Sequence, residues 1–230
     1  MMASMNVPPP APSKSPMRRT LFSALAAALF LSAVAVPAFA LSRGARAPEI
    51  GLRDTQGNPV RLSQLRGKVV LVDFWASWCE PCKEEIPVLN RLHREYGDDG
   101  LVIVGVNIDN DEGNMRRFLR RTPIDFRVVH DGNHRVADRY SPPRMPSSFL
   151  IDQRGVVRYV HEGFRAADAR VIERKVKEAL LSLRIERAFT KDQIIELYLN
   201  EIYLGRGSYG VAAAALNYFD KSLDELELSE

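Results

Sequence analysis

The stretch Lys68–Trp75, Lys-Val-Val-Leu-Val-Asp-Phe-Trp, is an almost continuous run of β-branched and aromatic residues, the pattern of a strand buried on both faces. Directly after it, Pro81 to Tyr96 carries Ile86, Leu89 and Leu92 at helical spacing and meets a stop at Gly97, so this segment is predicted to be a helix. The alternation continues with a strand over Leu101 to Ile108, a short helix over Asp111 to Arg121 and a strand over Phe126 to His130. Ser148 to Asp152 and Val156 to His161 then read as a hairpin about Gln153-Arg154-Gly155. Upstream, Pro48 to Leu52 and Val60 to Leu62 flank the turn Asp54 to Asn58, an N-terminal hairpin. Alternating strands and helices closed by a hairpin predict an α/β fold, a sheet with helices on both faces. In such sheets the chemistry sits beyond the carboxyl end of a strand, where a helix starts. Trp78-Cys79-Glu80-Pro81-Cys82 occupies that place.

The chain has two cysteines and they lie three apart. A structural disulfide framework needs more cysteines at longer separations, so the pair is either catalytic or half of a metal site. A zinc site needs further ligands, and the four histidines, His93, His130, His134 and His161, offer no matching spacing. The redox reading needs nothing more, neither metal nor other cofactor, than a Cys79–Cys82 disulfide. A helix N-terminus lowers a thiol pKa, and two intervening residues let Cys82 reach Cys79 within one turn. Cys79 is then expected to be the exposed attacking thiol and Cys82 the buried resolving one. Pro81 begins the helix, where a missing N–H costs nothing.

Composition sets the wider frame. At 46% apolar and 27% charged the chain is globular, and a net charge of +3 without a long basic tract gives no electrostatic footprint for nucleic acid. Met115 to Arg121 is the solvated face of a helix. At the N-terminus, Met17-Arg18-Arg19, the apolar run Leu21 to Val36 and Ala38-Phe39-Ala40 together form a signal-peptide pattern, which assigns residues 1–40 to a leader with Met17 as an alternative start. The expected location is periplasmic, with a membrane anchor if the leader is not cleaved.

The stretch from Gly67 to Pro87, including Phe74-Trp75-Ala76-Ser77-Trp78-Cys79-Glu80-Pro81-Cys82-Lys83-Glu84-Glu85, resembles the thioredoxin-like reductases of the TlpA and ResA type. The likeness runs from Ala47-Pro48 through Gly105-Val106-Asn107 to Gly163. It implies a thioredoxin-like sheet over residues 41–170 and a cis-proline facing the cysteines. Pro146, after Met145, matches that proline. Trp78, Glu80, Pro81, Met145 and Pro146 are accordingly the candidate substrate contacts. Asp73, inside the buried strand, should have a raised pKa unless a partner is present. Thioredoxins carry an acid at the matching position, so it is either a proton acceptor for Cys82 or a structural, hydrogen-bonded carboxyl. Glu80 either tunes the cysteines or points to solvent. The resemblance further implies a protein thiol or disulfide substrate, apocytochrome c or copper-site assembly proteins in some branches, and a membrane thiol protein as electron donor.

From Val171 the texture changes. Ile172, Val176, Leu180 and Leu183 recur at helical spacing, and a closing helix near Ala166 to Leu183 suits the first domain. The following segments, Arg174-Lys175-Val176-Lys177-Glu178, Thr190 to Gly205 and Gly207 to Ala214, resemble family 51 peptidoglycan glycosyltransferases, the transglycosylase module of class A penicillin-binding proteins. Glu178 matches that family's second active-site glutamate, with Arg174 and Lys175 beside it. The upstream Glu-Asp-x-x-Phe-x-x-His motif that supplies the general base does not occur, and Asp220 stands where a glycine is usual. Residues 171–230 are therefore expected to be a partial, all-helical glycosyltransferase-like segment with exposed apolar faces, inactive in glycosyl transfer.

Overall fold

The structure, a computed structural model, describes residues 41–227 and Ser229. The leader expected at residues 1–40 lies outside them. A short antiparallel hairpin, β1 (Leu52–Arg53) and β2 (Pro59–Val60), precedes a 3₁₀ turn at Leu62–Leu65. There follow β3 (Val69–Trp75), α1 (Glu80–Tyr96), β4 (Leu101–Asn107), α2 (Glu112–Leu119), β5 (Arg127–His130), α3 (Arg135–Tyr140), β6 (Ser147–Ile151), β7 (Val157–Glu162) and α4 (Asp168–Ala188). Two further helices, α5 (Lys191–Glu201) and α6 (Val211–Phe219), follow, and after them a 3₁₀ turn at Leu223–Glu225.

The main sheet has the order β5-β4-β3-β6-β7, with β3 parallel to β4 and antiparallel to β6. As the central strand, β3 is buried at all seven positions, which is why its sequence shows no polar alternation. Its two faces lie in different cores. Val69, Leu71 and Trp75 join Ile86, Leu89 and Leu92 of α1 and Ile172, Val176, Leu180 and Leu183 of α4. Val70, Val72 and Phe74 join Val136, Ala137 and Tyr140 of α3 with Ile50, Val60 and Leu62 of the N-terminal segment. The α/β architecture with helices on both faces is thus as the sequence predicts.

Three features of two helices depart from expectation. α1 begins at Glu80, so Pro81 is its second residue and not its first. Gly97 caps that helix in a right-handed conformation, and the left-handed residue of the turn is Gly100. α3 has no counterpart in the sequence reading. Its flanking residues His134 and Ser141 both have positive φ, and Asp131, not a capping side chain, accepts the N–H groups of Val136 and Ala137 at 3.0 and 2.8 Å.

α4 runs unbroken through position 171, where the second segment was expected to start, and its apolar stripe stays in the sheet's core as far as Leu183. Beyond it the character changes: α5 has no buried residue, and Ile195, Leu197, Tyr198 and Leu199 are exposed. Asp220, at the end of α6, takes the left-handed conformation in which a glycine is easiest to place.

Candidate active site

Cys79 follows the loop Ala76–Trp78 and is the N-cap of α1, its Sγ accepting from the Cys82 N–H at 3.3 Å. A side chain in this position meets the unpaired N–H groups and positive dipole end of the helix, which favour a thiolate over a thiol. Cys79 and Cys82 are joined in a disulfide, with Cα atoms 5.4 Å apart. The expected contrast between an exposed and a buried sulfur is reduced to 4% and 1% exposure: in this oxidised form both residues belong to the core cluster of α1 and α4.

The loop is held from β4. The Asp109 carboxylate, itself buried, accepts the Ser77 N–H at 3.0 Å and the Ser77 hydroxyl at 2.9 Å, and the Asn107 amide donates to it at 2.8 Å. His130 Nε2 and His134 Nε2 meet the backbone carbonyls of Asp109 and Ile108 at 2.6 and 3.1 Å, so both rings serve the same loop region. The sequence reading missed Asn107 and Asp109. Their signal was two polar residues closing the apolar run Leu101 to Ile108, at the sheet end where Cys79 lies.

The proposed substrate contacts fall on two segments. Trp78 is 65% exposed beside the disulfide, an apolar surface left uncovered. Glu80 points to solvent and forms an ion pair with Lys83 at 2.6 Å, which favours its solvent-facing reading. The Met145–Pro146 peptide is cis. Met145 packs against both cores, including the one containing the cysteines, and the Pro146 carbonyl accepts from Gly163 N–H at 2.7 Å.

Asp73 lies on the α1 face of β3, between Leu71 and Trp75, and is 1% exposed. It is not alone there. The Ser148 hydroxyl on β6 is 3.0 Å from Asp73 Oδ1 and 3.1 Å from Oε1 of Glu85, a second carboxyl at 1% exposure. Burial pushes the Asp73 carboxyl up to about 8 against a weaker opposing pull from Ser148. Glu85 is raised well above the ordinary carboxylate range by burial first and by the neighbouring Asp73 second. Sequence reasoning missed Glu85, although it lies in the buried stripe Cys82, Glu85, Ile86, Leu89 of α1. It stands three residues after Cys82, so the two side chains are neighbours on one helix face.

The glycosyltransferase-like residues sit apart from this group. On α4, Glu178 is paired with Lys175 at 2.6 Å and Arg174 at 3.7 Å, with roughly half of its side chain exposed.

A disulfide across the first turn of a helix that leaves the central strand of this mixed sheet, with a cis-proline immediately before the adjoining strand, is the arrangement of the thioredoxin-like oxidoreductases. The redoxin family model matches residues 42–180, more than half of the chain, and the protein belongs to that family. It is 37% identical over 117 residues to the thiol-disulfide oxidoreductase ResA of Bacillus subtilis, covering 51% of this chain and 65% of that one. The ResA of Geobacillus thermodenitrificans is 36% identical over 124 residues, 54% of this chain and 71% of its own length. Among solved structures, a Chlorobium tepidum protein described as the thiol:disulfide interchange protein DsbE superposes with a TM-score of 0.59 at 39% identity. That match covers 61% of this chain and 99% of the other. A transglycosylase family model matches residues 152–230, overlapping the redoxin match through β7 and the first half of α4.

Proposed function

We propose that the protein is a periplasmic thiol–disulfide oxidoreductase that reduces disulfides in other proteins. The observation that carries this reading is the position of Cys79 Sγ as the N-cap of α1, with Cys82 one turn away in disulfide contact. Cys79 attacks as the thiolate stabilised by the helix terminus. Cys82 then displaces the substrate from the mixed disulfide and regenerates the Cys79–Cys82 bond, which serves as the only redox group. Trp78, Pro81, Met145 and Pro146 form the surface that receives the substrate chain, with Glu80 at its edge.

The reducing direction, an apocytochrome c as substrate and a membrane thiol protein as electron donor follow from the likeness to ResA-type reductases. Secretion is supported by the basic, apolar and small-residue pattern of residues 17–40. Insulin precipitation in the presence of dithiothreitol tests the activity. The wild type should accelerate it and Cys79→Ser should not; equal acceleration by Cys79→Ser would refute the reading. The glycosyltransferase-like segment, residues 171–230, contributes no glycosyl transfer. On α4 Arg174 and Lys175 both pair with Glu178, and the motif supplying a base is absent from the sequence.

A further inference from the structure

Three adjacent strands each carry one polar residue at the same level. Asp73 on β3 is in register with Ser148 on β6, and Ser148 with His161 on β7. Directly opposite residues of antiparallel strands project to one face, here the face covered by α1 and α4. Glu85 from α1 and Asp168 from α4 complete the row. The Ser148 hydroxyl touches both Asp73 Oδ1 and Glu85 Oε1. It has one proton to donate, so it either divides that proton between the two carboxyls or donates to one and accepts from the other, protonated, carboxyl. Two buried acids bridged in this way are not both ionised, because that would place two like charges in an apolar core.

The row has an outlet. Glu85 Oε2 and His161 Nε2 are both buried without a hydrogen-bond partner among the described residues. His161 Nδ1 meets the Tyr159 hydroxyl at 3.2 Å, and its Nε2 lies 3.7 Å from Asp168 Oδ2, an ion-pair distance but too long for a hydrogen bond. The His161 and Asp168 side chains retain 11% and 19% exposure, so the row leads from the closed interior to the surface.

We infer that Asp73, Ser148 and Glu85 hold one shared proton, and that His161, positioned by Asp168, passes protons between this pair and solvent. The inference rests on the thiol–disulfide reading above. In the first step Cys79 thiolate attacks a protein disulfide; the Cys79–substrate S–S bond forms, and the departing substrate thiolate takes a proton from water. In the second, the Cys82 thiol gives its proton to the ionised member of the pair, through its helix neighbour Glu85. The Cys82 sulfur bonds to Cys79, and the remaining substrate sulfur leaves with the electron pair. Two electrons have passed from the dithiol to the substrate. The pair, now doubly protonated, sheds one proton through His161.

The charged and titratable surroundings suit the role. Around the pair stand Ser148 and, from α4, Asp168. Around His161 stand Tyr159 and Glu162 of β7, Asp168 of α4 and Arg165 before it, with Lys175 and Arg174 beyond Tyr159. Burial holds the ring below its ordinary range, so it is neutral at pH 7 and able to accept a proton at Nε2.

Two measurements on the full chain test this separately. Infrared spectra of the oxidised protein at pH 7, in H₂O and D₂O, should show one deuterium-sensitive carboxylic acid, lost in the double variant Asp73→Asn/Glu85→Gln. No such band, or one that survives the double variant, overturns the shared proton whatever the exchange activity. Stopped-flow oxidation of the reduced protein by excess protein disulfide, from pH 5.5 to 8.5, reads the resolving step. His161→Gln should slow it by about tenfold or more near neutrality and flatten its pH profile. If that variant does not fold, Asp168→Asn keeps the ring and should shift the profile to lower pH. A rate and profile unchanged in the folded variants overturn the proton outlet. If the wild type itself does not exchange disulfides, the thiol reading fails, while the infrared result still decides the shared proton.

Discussion

Replacing Asp73 with asparagine should stabilise the oxidised protein by an amount that grows with pH. In the unfolded chain this carboxyl titrates near 3.8, and in the folded one burial raises it to about 8. Between those values the folded state binds more protons than the unfolded state, so stability falls as pH rises. The penalty is absent below 3.8, accumulates at about 1.4 kcal/mol per pH unit and is complete above about 8. At pH 7 it amounts to roughly 4 kcal/mol. Asparagine is close in size, never ionises and can still hydrogen-bond Ser148, so the variant removes the penalty without opening a cavity. Urea denaturation from pH 4 to pH 8 can be followed by the fluorescence of Trp75, which is fully buried. The expected result is near-equal midpoints at pH 4 and a widening advantage for Asp73→Asn above pH 5. A difference independent of pH, or a variant less stable than wild type at pH 7, would refute the raised carboxyl and the network built on it.

Other consequences follow from the packing. Leu180, 3% exposed on the part of α4 beyond residue 171, should cost about 2–5 kcal/mol when replaced by alanine, as measured by chemical denaturation; a loss under 1 kcal/mol would detach this stretch from the redoxin core. Ending the chain after Phe189 should leave insulin reduction within about twofold of wild type and make the protein more soluble, since α5 buries nothing and exposes Ile195, Leu197 and Tyr198. Asp109→Ala strips the Ser77 N–H of its buried acceptor; about 1–3 kcal/mol of stability and much of the insulin activity should be lost together, checked by paired melting and turnover measurements.

Much of this architecture could be read in the sequence, because the central elements carry strong and simple signals. An apolar run with an abrupt Cys-x-x-Cys behind it gave β3, the start of α1 and the disulfide, and turn residues at Gln153-Arg154-Gly155 gave the β6–β7 hairpin. α3 was not legible because it is one short turn-and-a-half whose first N–H groups are satisfied by Asp131, outside the usual capping position. Asp73 stood out as one charge in an apolar strand. Its partners did not, because Glu85 is one acid in the charged run Lys83-Glu84-Glu85, and Ser148 and His161 acquire their meaning from strand register across three separate segments. The helical stripe of α4 shows the opposite difficulty: one periodic pattern served two family likenesses, and only the burial of Ile172 to Leu183 shows which core those residues fill.

The division of labour between the two cysteines is tested most directly by trapping. Cys82→Ser, reduced and mixed with a protein disulfide substrate, should accumulate a covalent complex through Cys79 that dithiothreitol releases, visible by non-reducing electrophoresis and by mass. Cys79→Ser should form none. A stable complex through Cys82 in the Cys79→Ser protein, with none in Cys82→Ser, would contradict the assignment of Cys79 as the attacking thiol.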